Sequence, residues 1–426
     1  MQSNVARQEP ISRETHSADE ELMRRDADAD AGMPEQANPL SVRVFDSIEA
    51  SEALWRGLEK AAVLTPYQRY DWIKALLDTR GLGKARCAVA AIHAGERPIA
   101  LFPFEISRRF GVRSAGIIGA DIGNAGWLVM EPGAAARLTP AALASIFSDI
   151  GKQAGGLDMV CLMNQPESWL GLPNPLLELA HQPAPDHLYV APIGPGGASE
   201  RLNGKRLRNI QRGRRRLEEA MGPVVLRRAE SIADIERVHA TFLEQRGARF
   251  AQMGVRNIFA EAWFVDFFKH AATTSLGSDR PALRFHALYA GDEIVATSCG
   301  TCAGTHYSQY INSTAAGPAA KYSLMGILMH DLVAELAGMG ITSIDMGLGD
   351  FDYKADWTDK QMVFDSVIPV TAAGSIAARL VLGLRRLKRA IKQNDKLFGT
   401  LKRLRAMTLN RKGEEAPATP GSEESE

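Results

Sequence analysis

Alternation of apolar and polar positions marks where order begins. Ser41 to Phe45 alternates with the two-residue period of a strand, and helical spacing follows from Ile48 to Lys60. Thr65-Pro66 precedes Tyr67–Trp72, with Pro66 placed to open a helix that runs to Leu77. Cys87–His93 and Pro98–Ser107 predict strands joined by a hairpin-like turn, Ala94-Gly95-Glu96-Arg97. A glycine-rich stretch, Gly116 to Gly126, leads to a predicted helix over Pro140–Gly151 and a strand over Leu157–Met163.

The second half repeats this order. Pro223–Arg227 is strand-like, and Ser231–Arg246 and Asn257–Thr273 are helical, the first with Ile232, Ile235, Val238 and Phe242 on one face. Leu283–Tyr289 and Glu293–Cys302 predict a hairpin across Ala290-Gly291-Asp292, and His306–Asn312 a third strand. A loop, Ser313–Lys321, enters a helix from Ser323 to Gly338, and Ser343–Gly347 is again a strand. The repeat lies in the order of elements, with no residue-level match between the halves. The expected fold is α/β, with two similar domains in tandem.

Composition narrows the class. A chain of 426 residues, 45% hydrophobic and 23% charged, suits two or three soluble domains. No run approaches the ~20 apolar residues of a membrane span, and the first thirty residues contain no apolar core of a secretory signal. Four cysteines, Cys87, Cys161, Cys299 and Cys302, are too few for a disulfide framework. The cytoplasm is the expected location. Cys299 and Cys302 match C-x-x-C, but side chains three apart on a strand point to opposite faces.

A net charge of zero hides segregation. Residues 1–40 carry nine acids and four bases, 384–412 carry eleven bases and one acid, and 413–426 hold five glutamates. The expected division is therefore a disordered 1–40, a first domain 41–198, a basic linker helix 199–222, a second domain 223–372, a basic amphipathic helix 373–412 and a disordered tail 413–426. The linker, Arg201–Ala220, has eight bases against two acids and a partial apolar stripe at Leu202, Leu207, Ile210 and Leu217. Its bases suit a ligand phosphate or other anionic ligand, a tRNA, or a solvated face. The last helix places Leu380, Leu384, Leu387, Ile391, Phe398, Leu401 and Leu404 mostly three or four apart. Such a helix either lies on an anionic membrane surface or packs on protein.

Lys321 to Trp357 carries the candidate chemistry. A helix opening at Ser323 after a strand and loop offers backbone N–H groups to an anion, although capping by Ser323 would explain the same residues. Asp345-Met346-Gly347-Leu348-Gly349-Asp350, with Tyr353, Lys354 and Trp357, follows at a strand end, where α/β folds place ligands.

Five segments together resemble the CelD-type (cellulose-biosynthesis-like) tandem GNAT acyltransferase family. They are T-P-Y-Q-x-Y-D-W at Thr65–Trp72, G-A-D-I-G-N at Gly119–Asn124, and K-R-x-R-N-I-Q-R-x-R-R-R-L-E-E at Lys205–Glu219. K-Y-S at Lys321–Ser323 and D-x-G-x-G-D-x-x-Y-K-x-x-W at Asp345–Trp357 complete the set. The resemblance covers residues 41–372 and implies two tandem GNAT-like domains, each a mixed, mostly antiparallel sheet flanked by helices, with the basic helix appended. It implies transfer of an acetyl or other acyl group from acyl-CoA, as co-substrate and without a metal, to an amine or hydroxyl acceptor. Lys321, Tyr322, Ser323 and Gly326 would hold the CoA. The family often has Pro-Gly after the serine, where this chain has Leu324-Met325 and reaches glycine at Gly326.

The transfer needs a base to take the acceptor's proton and a donor for the oxyanion. Asp345 is the first candidate base, with His306 and Tyr310 as alternatives, and Lys354 pairs with a phosphate or with Asp345. An ion pair of Asp345 with Lys354 that merely ties two segments is the competing reading. Asp121, Asn124, Tyr353 and Trp357 are the expected acceptor contacts. The acceptor is expected to be a small molecule or a saccharide, such as an envelope-polysaccharide precursor, with nucleic acid not expected as a partner. An aminoacyl-tRNA-dependent transferase of the peptidoglycan-bridge type and a non-catalytic accessory protein are the competing functions.

Overall fold

The computed structural model describes residues 38–252, 256–278, 280–350 and 352–394. The first half contributes β1 (Leu40–Phe45), α1 (Glu52–Glu59), α2 (Tyr70–Arg80), β2 (Arg86–Ala94), β3 (Arg97–Arg109) and β4 (Val112–Ile117). A short β5 (Val129–Met130), α3 (Pro140–Gln153), β6 (Met159–Pro166), the small ribbon β7 (Ser168–Trp169) and β8 (Leu172–Pro173), and β9 (Gln182–Pro192) follow. Then come α4 (Gly204–Met221), β10 (Val224–Arg228), α5 (Ile232–Gln252) and α6 (Ala262–Thr273). The chain continues through β11 (Arg284–Ala290), β12 (Glu293–Ala303), β13 (His306–Thr314), α7 (Leu324–Gly338), β14 (Ser343–Leu348), β15 (Asp359–Pro369) and α8 (Ala372–Lys392).

Helix boundaries follow local chemistry. Thr139 accepts from the Ala142 N–H (3.3 Å) with Pro140 next to it, Asn203 accepts from the Arg206 N–H (2.9 Å), and Thr371 accepts from the Gly374 N–H (3.1 Å). Pro66 opens only a single 3-10 turn, Pro66–Gln68, because Arg69 returns to an extended conformation before α2 begins.

The strands form one continuous, mixed and mostly antiparallel sheet in the order β1-β2-β3-β4-β6-β15-β9-β14-β13-β12-β11-β10, with β5 beside β3. The two inner strands are exchanged. β15, late in the sequence, pairs with β6 of the first half, and β9 pairs with β14 of the second. Each half thus extends the sheet of the other. Parallel pairing is confined to β4 with β6 and β13 with β14, and each such pair spans three residues before its strands diverge.

One core is shared. Trp55, Tyr67, Trp72 and Leu76 of the first half pack in the same cluster as Phe242, Phe264, Phe267 and Ile311 of the second. The first half buries α3 on the opposite face with Phe102, Phe104 and Ile117. The second buries α7, Leu202 just before α4, and the apolar stripe of α4 at Ile210 and Leu217. Cys299 faces the shared core and Cys302 the α7 side, so the C-x-x-C pair is split by the sheet and all four cysteines are free.

Candidate functional site

β13 and β14 touch only at His306–Ser308 and Ser343–Asp345. Beyond Thr314 the chain makes a 3-10 turn, Gly317–Tyr322, and enters α7. Ser323 takes a left-handed conformation there, φ 60° and ψ 41°, and its side chain makes no cap bond. Capping by Ser323 is therefore not what opens this helix. A non-glycine residue in that region costs about 1–2 kcal/mol, and Ser323 borders a surface cleft there.

α4 forms the other wall of the cleft. It crosses the turn at Gly213, where a Cβ would stand 2.5 Å from the Tyr322 carbonyl oxygen. The cleft, about 720 Å³, is lined by Arg206, Arg212 and Arg216 of α4 and by Lys321, Tyr322 and Ser323. A smaller hollow of about 190 Å³ lies beside it, sharing Arg206 and Ser323 and adding Met325, Gly326, Tyr353 and Trp357. Arg206 reaches across to Asp356 (2.9 Å), fixing the partition between the two. Gly326 is buried under Ile210 of α4, with a Cβ position only 3.0 Å from it, so this glycine serves close helix packing. Four cations against one acid, Glu219, on a concavity beside the start of α7 suit an anion with several phosphate oxygens.

A second cluster is buried beneath. Asp345 is fully enclosed. Its Oδ1 accepts from the Ser308 hydroxyl (2.9 Å) and the Gly347 N–H (2.8 Å), and its Oδ2 from His306 Nε2 (2.8 Å). With that nitrogen protonated, His306 Nδ1 accepts from the Ser343 hydroxyl (2.6 Å). The first half supplies the rest. Tyr67 bonds Ser308 through its hydroxyl, Asn124 Nδ2 donates to Tyr67 (2.6 Å), and Asn124 Oδ1 accepts from the Leu348 N–H (3.3 Å). Gly347, at φ 71°, leaves the room that Asn124 fills, since a Cβ there would meet Nδ2 at 2.7 Å. Burial, and next the charge of Asp345, push the Tyr67 hydroxyl well above its ordinary pKa, so it remains a donor.

The candidate residues therefore fall into three places. Lys321, Tyr322, Ser323, Gly326, Tyr353 and Trp357 meet at the two hollows. Asp345 and Asn124 sit in the buried network. Tyr310 stands beside it, edge-on to Trp72 at 5.3 Å, and donates to the Ile122 carbonyl (2.8 Å). Asp121 is on the surface, paired with Arg80 at 2.7 Å. Tyr67, Ser308, Gly213, Arg212 and Arg216 complete these arrangements, and only the motif segments containing Tyr67 and the α4 residues pointed toward them.

Lys354 is buried and donates to the carbonyls of Gly347 (3.3 Å), Leu348 (2.9 Å) and Gly349 (3.1 Å), holding the glycine turn from below. Burial brings its pKa down to about 8, against the opposing pull of Asp345, Asp350 and Asp186. The unfolded amine keeps the ordinary 10.5, so between these two values the unfolded state binds the extra proton and stability rises with pH. Denaturant melts from pH 7.5 to 10.5 should show the native protein gaining about 3 kcal/mol relative to Lys354→Met across that window. Parallel curves would place the amine in a more solvated setting.

Residues 204–355 match the acetyltransferase (GNAT) domain family. Among solved structures, FemX aligns over 78% of this chain and 99% of its own, with a TM-score of 0.54 at 10% identity. A tandem GNAT protein from the clavulanic acid biosynthesis pathway aligns over 78% and 99%, with a TM-score of 0.42 at 10% identity. A conserved protein of unknown function from Bacteroides thetaiotaomicron VPI-5482 aligns over 78% and 100%, with a TM-score of 0.47 at 8% identity. No curated protein matches the sequence. The FemX likeness is one of fold. The matched domain contains α4, the cleft, α7 and Asp345 together.

Proposed function

We propose that the protein transfers an acetyl or other acyl group from acyl-CoA to an amine or hydroxyl acceptor, with the CoA phosphates in the α4–α7 cleft. The observation that carries this reading is the cleft itself, where Arg206, Arg212, Arg216 and Lys321 surround a helix start left without its side-chain cap. The smaller hollow under Tyr353 and Met325 suits the pantetheine arm. Tyr353 and Trp357 would then border the acceptor. The resemblance to CelD-type proteins supports a saccharide, such as an envelope-polysaccharide precursor, as that acceptor.

In this reading Asp345, Tyr310 and Lys354 shape the reacting end and do not carry its protons, since each is committed to internal partners. The same commitment favours one alternative, a protein that binds CoA without turning it over. Calorimetry with acetyl-CoA and with 3′-dephospho-CoA tests the binding. Lys321→Ala should weaken acetyl-CoA by about 1–2 kcal/mol, as expected for one charge-assisted phosphate contact. Equal affinities for the native and variant proteins would move the ligand elsewhere. Release of free thiol from acetyl-CoA with cell-extract acceptors separates the enzyme from the binder.

A further inference from the structure

α8 is docked with its polarity inverted. Gly374 lets it approach the sheet so closely that a Cβ would sit 1.7 Å from the Asp158 carbonyl oxygen, and Ala378 is buried against Met159 and Val367. Its bases then turn toward the body. Arg385 grips the enclosed Asp365 with two bonds (2.6 and 2.7 Å), Arg389 donates to the Ala184 carbonyl (2.5 Å), and Lys392 pairs with Asp186 (2.6 Å). The outward face is left to Ile376, Leu380, Leu384 and Leu387, which are 73%, 64%, 59% and 58% exposed. Their spacing of four, four and three makes one continuous stripe. A solvated surface helix presents the opposite face to water, and single scattered aliphatics would need no such explanation.

We propose that this stripe is a docking face for an anionic lipid bilayer. Charge selects that occupant. Arg379 and Lys388 lie on the exposed side of the helix, and neither has an ion-pair partner among the described residues. The sequence beyond Asn394, outside the described residues, adds six bases and one acid through Lys412. A second copy seated stripe to stripe would bring these like charges together, whereas anionic headgroups neutralise them while the aliphatic side chains enter the acyl boundary. No described helix is long and apolar enough to cross a membrane, so the contact is peripheral. The inference stands on α8 alone and does not depend on the acyl-CoA reading.

The test is flotation of the full chain with phosphatidylcholine vesicles and with vesicles containing 30% phosphatidylglycerol, at low and high salt. Binding should require the anionic lipid and weaken with salt, because charge attraction is screened over about 8 Å at physiological ionic strength. The double variant Leu380→Gln, Leu384→Gln alters only exposed positions, and its bound fraction should fall at least tenfold with an unchanged melting temperature. Undiminished binding by that variant would assign the attachment to charge alone and overturn the stripe as the docking face. No binding to anionic vesicles overturns the proposal outright. A dimer that the double variant dissolves, without vesicle binding, would assign the stripe to a second copy.

Discussion

Replacing Asp345 with alanine is expected to lower the unfolding midpoint by roughly 5 °C while the folded variant still binds acetyl-CoA with nearly native affinity. The carboxylate lies at the convergence of bonds from Ser308, Gly347 and His306, and through Ser308 it is linked to Tyr67 and Asn124 of the other half. Removing it leaves three buried donors without an acceptor, and breaking such a charged buried network costs about 3–5 kcal/mol. For a chain of 426 residues each kcal/mol moves the midpoint by about 1 °C. Asparagine keeps one oxygen for Ser308 and Gly347 but opposes the His306 N–H with its own, so its effect should be smaller. Asp345 does not line either hollow, which is why binding should survive. If Asp345→Ala melts like the native protein while acyl transfer collapses, the residue is a catalytic base and not a tie between the halves.

That tie also marks where reading the sequence reaches its end. The β2–β3 and β11–β12 hairpins are legible because each is a pair of largely apolar runs around a short turn, and α4 because its apolar stripe keeps helical spacing. β9 is hidden by Pro183, Pro185 and Pro192, which ordinarily exclude a run from the middle of a sheet. β15 is hidden by Asp365 and Ser366, polar residues that are buried only because Arg385 and Gln165 meet them there. Without those two strands the sequence reads as two separable units, and the exchange that joins them has no local signature. The same holds for Asn124, Tyr67 and Ser308, whose proximity depends on three distant segments. The amphipathic character of α8 is plain in the sequence. Its orientation is not, because the acceptors that turn its bases inward belong to β9 and β15.

The anion cleft depends on one position that carries no functional group. Gly213 faces the Tyr322 carbonyl at a distance no Cβ can occupy, and the obstacle is backbone, which cannot rotate away as a side chain does. Gly213→Leu must therefore push α4 off the Gly317–Tyr322 turn, carrying Arg212 and Arg216 away from Lys321. Overpacking of this kind costs about 1–3 kcal/mol of stability. The larger effect should fall on ligand affinity, since separating two or more charge-assisted phosphate contacts forfeits about 3 kcal/mol, or roughly a hundredfold. Arg208→Ala provides the comparison, because Arg208 is exposed on the same helix and lines neither hollow. It should leave acetyl-CoA binding within about twofold, the small change expected when an exposed charge outside the contact is removed. Titration calorimetry on both variants, with circular dichroism to establish that each is folded, reads the difference directly. A folded Gly213→Leu protein that binds acetyl-CoA as tightly as the native one would remove the phosphates from this cleft, and the proposed function with them.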